Sequence, residues 1–147
     1  MSGVSPIDLS PVPRQRTCRL GQHLRRIAAW VHLAFALANV DAVYGQVYLI
    51  GAYIFGAGQE ALNAHKSIGW TTHGLEGGVL IAALLAWLPR TDIALSVLLF
   101  AIGSVQVALA SETGWVGGLH PLLALVVLGL AMVITRRRLR RLPEAGP

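Results

Sequence analysis

Charge is what this chain has least of. Only 13% of its 147 residues are charged and 54% are hydrophobic, whereas an ordinary soluble domain carries roughly 25% charged residues. With a mean hydropathy of +0.60, that deficit argues against a water-soluble globular domain and points to an integral membrane protein held in a lipid bilayer. Cysteine is nearly absent as well. Cys18 stands alone, so no intramolecular disulfide can form and a cysteine-based metal site is excluded. No serine nucleophile elbow, phosphate loop, dinucleotide fingerprint or zinc-protease motif occurs. No catalytic residue is therefore assigned, and a carrier or a membrane subunit is favoured over an enzyme.

The formal net charge is +5, and the pI near 10.4 raises the question of nucleic acid. The positions of the arginines answer it. Arg14, Arg16, Arg19, Arg25 and Arg26 precede the first apolar segment, Arg90 sits in a short turn, and Arg136, Arg137, Arg138, Arg140 and Arg141 follow the last. This is the positive-inside distribution of a multi-pass protein of the inner (plasma) membrane with both termini in the cytoplasm. The basic tails lack the fold and aromatic interleaving of a nucleic-acid site and suit anionic headgroups instead.

Hydrophobic runs then predict an all-α fold, a four-helix transmembrane bundle with short loops. The expected helices cover about 26–55, 66–88, 93–110 and 119–135 within a transmembrane domain of 26–136. A disordered basic tail is expected at 1–25, where Pro6, Pro11 and Pro13 lie among Ser, Gly and Arg, and a basic tail at 137–147. The first helix is longer than the roughly 20 residues a bilayer needs. His32, Asn39 and Gln46 share one of its faces, with Asp41 nearly opposite, which suits a helix wedged between neighbours or one that also forms a contact in a homodimer or a larger membrane complex. Asp92 falls at the start of the third helix, where it suits the dipole. Trp30 and Trp87 are expected at the inner interface, Trp70 and Trp115 at the outer one.

Counting ~1.5 Å of rise per residue from the cytoplasmic ends places Asp41, His73, Glu76, Gln106 and His120 within one slab at roughly 18–24 Å. A lipid-facing carboxylate costs about 2.5–3.5 kcal/mol on insertion scales, so the layer is expected to face the bundle interior. Three chemistries fit it. His73 and His120 can ligate a haem iron from both sides, with Gly69 and Gly77 leaving room for a flat ring, although the Gly74–Gly78 spacing equally suits close helix packing. Asp41, His73, Glu76 and His120 make a two-histidine, two-carboxylate set for a divalent transition metal, or for exchanging protons in a small transporter. A satisfied polar layer serving helix specificity alone fits a structural accessory subunit. By the same count His65 lies at the outer surface, roughly 10 Å above His120, and His32 near the inner interface, where snorkelling accounts for it. Only Met132 shares the depth of His32, which leaves a second haem there without a ligand, and Lys66 is the only cation near the outer site.

Three motifs carry a resemblance. Gln46 followed by Ile50-Gly-Ala-Tyr-Ile-Phe55, then His65-Lys-Ser-Ile-Gly69, then Leu119-His-Pro-Leu-Leu-Ala124 resemble a family of small bacterial four-helix integral membrane proteins. That family is similar to the four-helix cytochrome b electron carriers, in which paired histidines on adjacent helices hold haem b. The resemblance spans about Ile27 to Arg137. It implies a b-type cytochrome-like electron-transfer protein with His65 and His120 as haem ligands, whereas depth pairs His73 with His120. His120 is common to both.

Overall fold

The computed structural model describes residues 14–141, and helix is the only regular structure among them. Helix α1 runs Arg14–Ile54, α2 Gln59–Leu85 and α3 Arg90–Ala108, which tightens into a 3-10 turn at Leu109–Ser111. A single turn α4, Gly114–Gly117, leads into α5, Leu119–Leu139. Three segments are long and apolar enough to cross a membrane: Leu20–Ile54, Arg90–Ser111 and Gly114–Leu139. Helix α2 is not among them, and it is the helix into which the sequence crowds His65, Lys66, Thr71, Thr72, His73 and Glu76.

Cross-helix contacts fix an up-and-down arrangement. The start of α2 meets the end of α1 where His65 bonds Gln46, and the pairing continues through Asn39 with Thr72 to Phe35 against Gly78. Phe100 of α3 lies over Gly77, Gln106 of α3 meets His120 of α5, and Arg138 of α5 reaches the Ala29 carbonyl of α1. Each long helix thus has two long neighbours, and α2 and α5 face each other across the bundle.

Boundaries differ from the sequence expectation in an instructive way. Helix α1 begins at Arg14, so residues 14–25 are helical rather than a disordered tail. No proline follows Pro13 until Pro89, and the Arg, Leu and Gln between are good helix formers. Residues 1–13 and 142–147 of the expected tails lie outside the described residues. Helix α5 likewise continues through Arg137 and Arg138 to Leu139. Most consequentially, α2 starts at Gln59 instead of near 66, and the expected outer loop at 56–64 is largely helix. Gly56 and Gly58, with φ of 95° and 83°, make the tight reversal that lets α2 begin so early, because only glycine holds such angles without strain.

The interior is packed with small residues. Ala36, Val43, Val79, Leu99, Val127, Ala131 and Ile134 form one buried cluster drawn from all four long helices, and Ala83, Ala86 and Leu88 form a second against Ala28, Ala29 and Ile93. In a bilayer, where lipid is as apolar as leucine, association of such helices rests on close packing rather than on water exclusion. At the end where α1 begins and α5 ends, Asp92 is 3% exposed. Arg137 Nε donates to its Oδ1 at 2.9 Å and Arg141 Nη1 to its Oδ2, which ties α3 to the end of α5. The four tryptophans are exposed, by 48% to 97%, as interfacial side chains should be.

Candidate functional site

Because α2 begins at Gln59, His65 lies in its second turn, over the bundle, and not at the outer surface. Its Nδ1–H donates to the Gln46 carbonyl at 3.0 Å. On the opposite side, His120 lies at the start of α5, and its Nδ1–H donates to the Gln106 carbonyl at 2.9 Å. Gln106 is within the last four residues of α3, whose carbonyls have no partner in a regular helix. The imidazole therefore completes the end of α3. The two rings are 6.4 Å apart, centre to centre, at 76° to one another.

A carbonyl can only accept, so both hydrogen bonds fix the same tautomer. Nδ1 carries the proton and the lone pair is left on Nε2. This is how metal-ligating histidines are held, with the non-ligating nitrogen anchored to a backbone carbonyl. Each ring thus keeps one nitrogen with a free lone pair, and the pair offers two imidazole donors from facing helices.

His73 does other work. Its Nδ1 is joined to Glu76 Oε2 by a hydrogen bond of 2.8 Å, and its ring stacks on Phe100 with centroids 5.0 Å apart and planes within 10°. Glu76 is 1% exposed, and its carboxyl group fills the space over Gly103 of α3, where a methyl group would overlap it. Depth alone set His73 beside His120; rotation about the helix axis turned it toward α3.

The expected four-residue metal set is not assembled. Asp41 is exposed on the outer face of α1, and among the described residues no group of three or more His, Cys, Asp or Glu converges on a metal position. The face of α1 that points inward belongs to Asn39 and Gln46. Gln46 Nε2 donates to Thr72 Oγ1 at 2.9 Å and Asn39 Nδ2 to the Thr72 carbonyl at 3.3 Å. Gln106 is buried beside His120. Nor do the glycines leave a slot for a ring, since Gly69 faces the Gln46 side chain and Gly77 faces Phe100. They serve packing.

His32 also departs from its expected place. It is fully buried, not snorkelling. Its Nε2 lies 3.3 Å from Ser96 Oγ, whose own hydroxyl donates to the Asp92 carbonyl. The serine therefore accepts from Nε2–H, and Nδ1 is left buried without a partner. Met132 is 44% exposed and belongs to the outer surface. Sequence reasoning missed Ser96 and Gly103; the signal for both was a small residue on α3 opposite a polar one of similar depth.

Comparisons with protein-family models, characterised proteins and solved structures give no match to this chain.

Proposed function

We propose that the protein is a membrane electron carrier that binds one haem b between His65 and His120. The observation that carries this reading is the matched pair of imidazoles on facing helices, each anchored through Nδ1 to a helix carbonyl and each keeping its Nε2 lone pair, with ring centres 6.4 Å apart. When bound, the haem supplies a one-electron iron couple. The chain supplies two neutral ligands from facing helices and fixes their orientation. Gln46, Thr72 and Asn39 tie α1 to α2 beside His65, and Gln106 supplies the carbonyl that His120 grips. In this reading α2 also crosses the bilayer, because it runs antiparallel between α1 and α3 over their shared depth. The arginine-rich end faces the cytoplasm, and the haem lies toward the opposite surface of the inner membrane.

The test is spectroscopic. Protein purified in detergent from haem-replete cells should show a Soret band and a pyridine haemochrome signal characteristic of haem b. A colourless protein from such cells would overturn the reading.

A second reading is supported by the His73–Glu76 pair. A buried carboxyl group sharing a hydrogen bond with an imidazole is the chemistry of a proton-exchanging site in a membrane carrier. It predicts proton flux in proteoliposomes that is abolished by Glu76→Gln and unaffected by His65→Ala.

A further inference from the structure

We propose that the outward groove between α1 and α2, at the end rich in arginine, binds one anionic phospholipid, with its phosphate on Arg25 and an acyl chain lying along the groove. The groove holds about 970 Å³ and is lined from Gly21 to Phe35 on α1 and from Gly78 to Trp87 on α2. Its floor includes the buried Ala82, and its rims are apolar and exposed at Leu24, Ile27, Ile81 and Leu85. Phe35 closes the far end by packing on Gly78, where a Cβ would come within 3.0 Å of the ring.

Length identifies the occupant. Between Arg25 and Phe35 the helix rises ~15 Å, half of the ~30 Å hydrocarbon thickness of a bilayer. The groove therefore accepts the chain of a lipid in one leaflet and stops where that leaflet stops. Charge identifies the headgroup. Arg25 stands at the mouth, its guanidinium carbon 5.7 Å from the centre of the Trp87 ring. The one described acid at this end is Asp92, and both of its oxygens are taken by Arg137 and Arg141. A phosphate with a net negative headgroup answers the charge that the described residues leave open, as polybasic surfaces answer anionic lipids.

Trp87 adds an independent sign. It is the sole described non-glycine residue with positive φ, 52°, and it occupies the left-handed position after α2, where the Leu88 amide bonds the Ala83 carbonyl at 3.1 Å. Glycine is the usual residue there. A left-handed non-glycine residue is strained and is retained where the surroundings or a ligand clamp require it. Here the indole is exposed, roofs the groove and supports Arg25.

The experiment is native mass spectrometry of the full chain, released from detergent after incubation with phosphatidylglycerol or phosphatidylcholine. The wild-type protein should retain one phosphatidylglycerol in preference to phosphatidylcholine by about fivefold, the factor equivalent to ~1 kcal/mol for one basic residue at an anionic surface. Arg25→Gln should bring the two lipids to parity, and Ala28→Phe, which fills the groove, should remove both. Trp87→Gly should weaken retention without lowering the melting temperature, because glycine relieves the backbone; it tests the site without adding bulk. Leu125→Phe, on the exposed face of α5, should change nothing. Equal retention of the two lipids by wild type, retention unchanged in Ala28→Phe, or an adduct whose mass is not that of a phospholipid would overturn the proposal.

Discussion

The imidazoles of His65 and His120, on helices that face each other across the bundle, lie 6.4 Å apart, and each gives its Nδ1 proton to a carbonyl of a different neighbouring helix. Two side chains from distant parts of the chain are thus held in one tautomer by the same device.

The first prediction separates this pair from His73. His65→Ala and His120→Ala should each abolish the low-spin haem spectrum of the purified protein, because an iron between two imidazoles loses its character when either ligand goes. His73→Ala should retain the spectrum, since that ring is bonded to Glu76 and stacked on Phe100. Visible spectra of the three variants, normalised to protein, decide the matter, and a spectrum lost only in His73→Ala would reverse the assignment.

Gly103 offers a second test, on stability. Gly103→Ala places a methyl group where the Glu76 carboxyl group sits, an overpacking that costs about 1–3 kcal/mol. In a Glu76→Ser background the space is free, and the same change should cost little. Denaturation in mixed micelles, run as a double-mutant cycle, measures the difference. Additive costs would show that Glu76 does not occupy the space above Gly103.

His32 and Ser96 form a buried pair near the arginine-rich end. Ser96→Ala alone should destabilise the bundle by about 1–3 kcal/mol, because it leaves His32 Nε2–H buried without an acceptor. His32→Leu combined with Ser96→Ala replaces both partners with apolar groups and should lie near wild type. Thermal unfolding followed by circular dichroism distinguishes the two outcomes.

Asp41 yields a prediction of opposite sign. It is exposed on a helix long and apolar enough to span a membrane, and a carboxylate in that position costs up to about 2.5–3.5 kcal/mol on insertion scales. Asp41→Leu should therefore favour insertion of α1, as read by the inserted fraction in a translocation assay, and should leave the haem spectrum unchanged. A lower inserted fraction would mean that Asp41 meets a partner within the membrane.

Much of the fold was legible in the residues taken in order. Low charge and long apolar runs predicted a helical chain with membrane-crossing segments, and three helices are long and apolar enough to cross a membrane; the four tryptophans are exposed. These are one-dimensional properties: they depend on how many residues of a kind follow one another, and helix rise converts that count directly into depth. Even the error over His65 had a one-dimensional source, since a short polar stretch between two glycines and Lys66 read as a loop although it continues the helix.

Which side chains meet was settled only by packing. His73, His65 and Gly69 share a ridge along α2, yet His65 turns to Gln46 and His120, Gly69 rests against Gln46, and His73 turns to Phe100 and α3. Asp41 and Asn39 are two residues apart, and one points outward while the other is sealed against Thr72. Two residues of helix are a rotation of about 200°, so a small shift in where a helix begins or how it is turned exchanges interior for exterior. The order of the polar groups along each helix was written in the sequence. The direction of each was decided by the tertiary structure, where alanine and glycine surfaces allow the helices to approach in only a few rotations, and that direction brings His65, rather than His73, to His120.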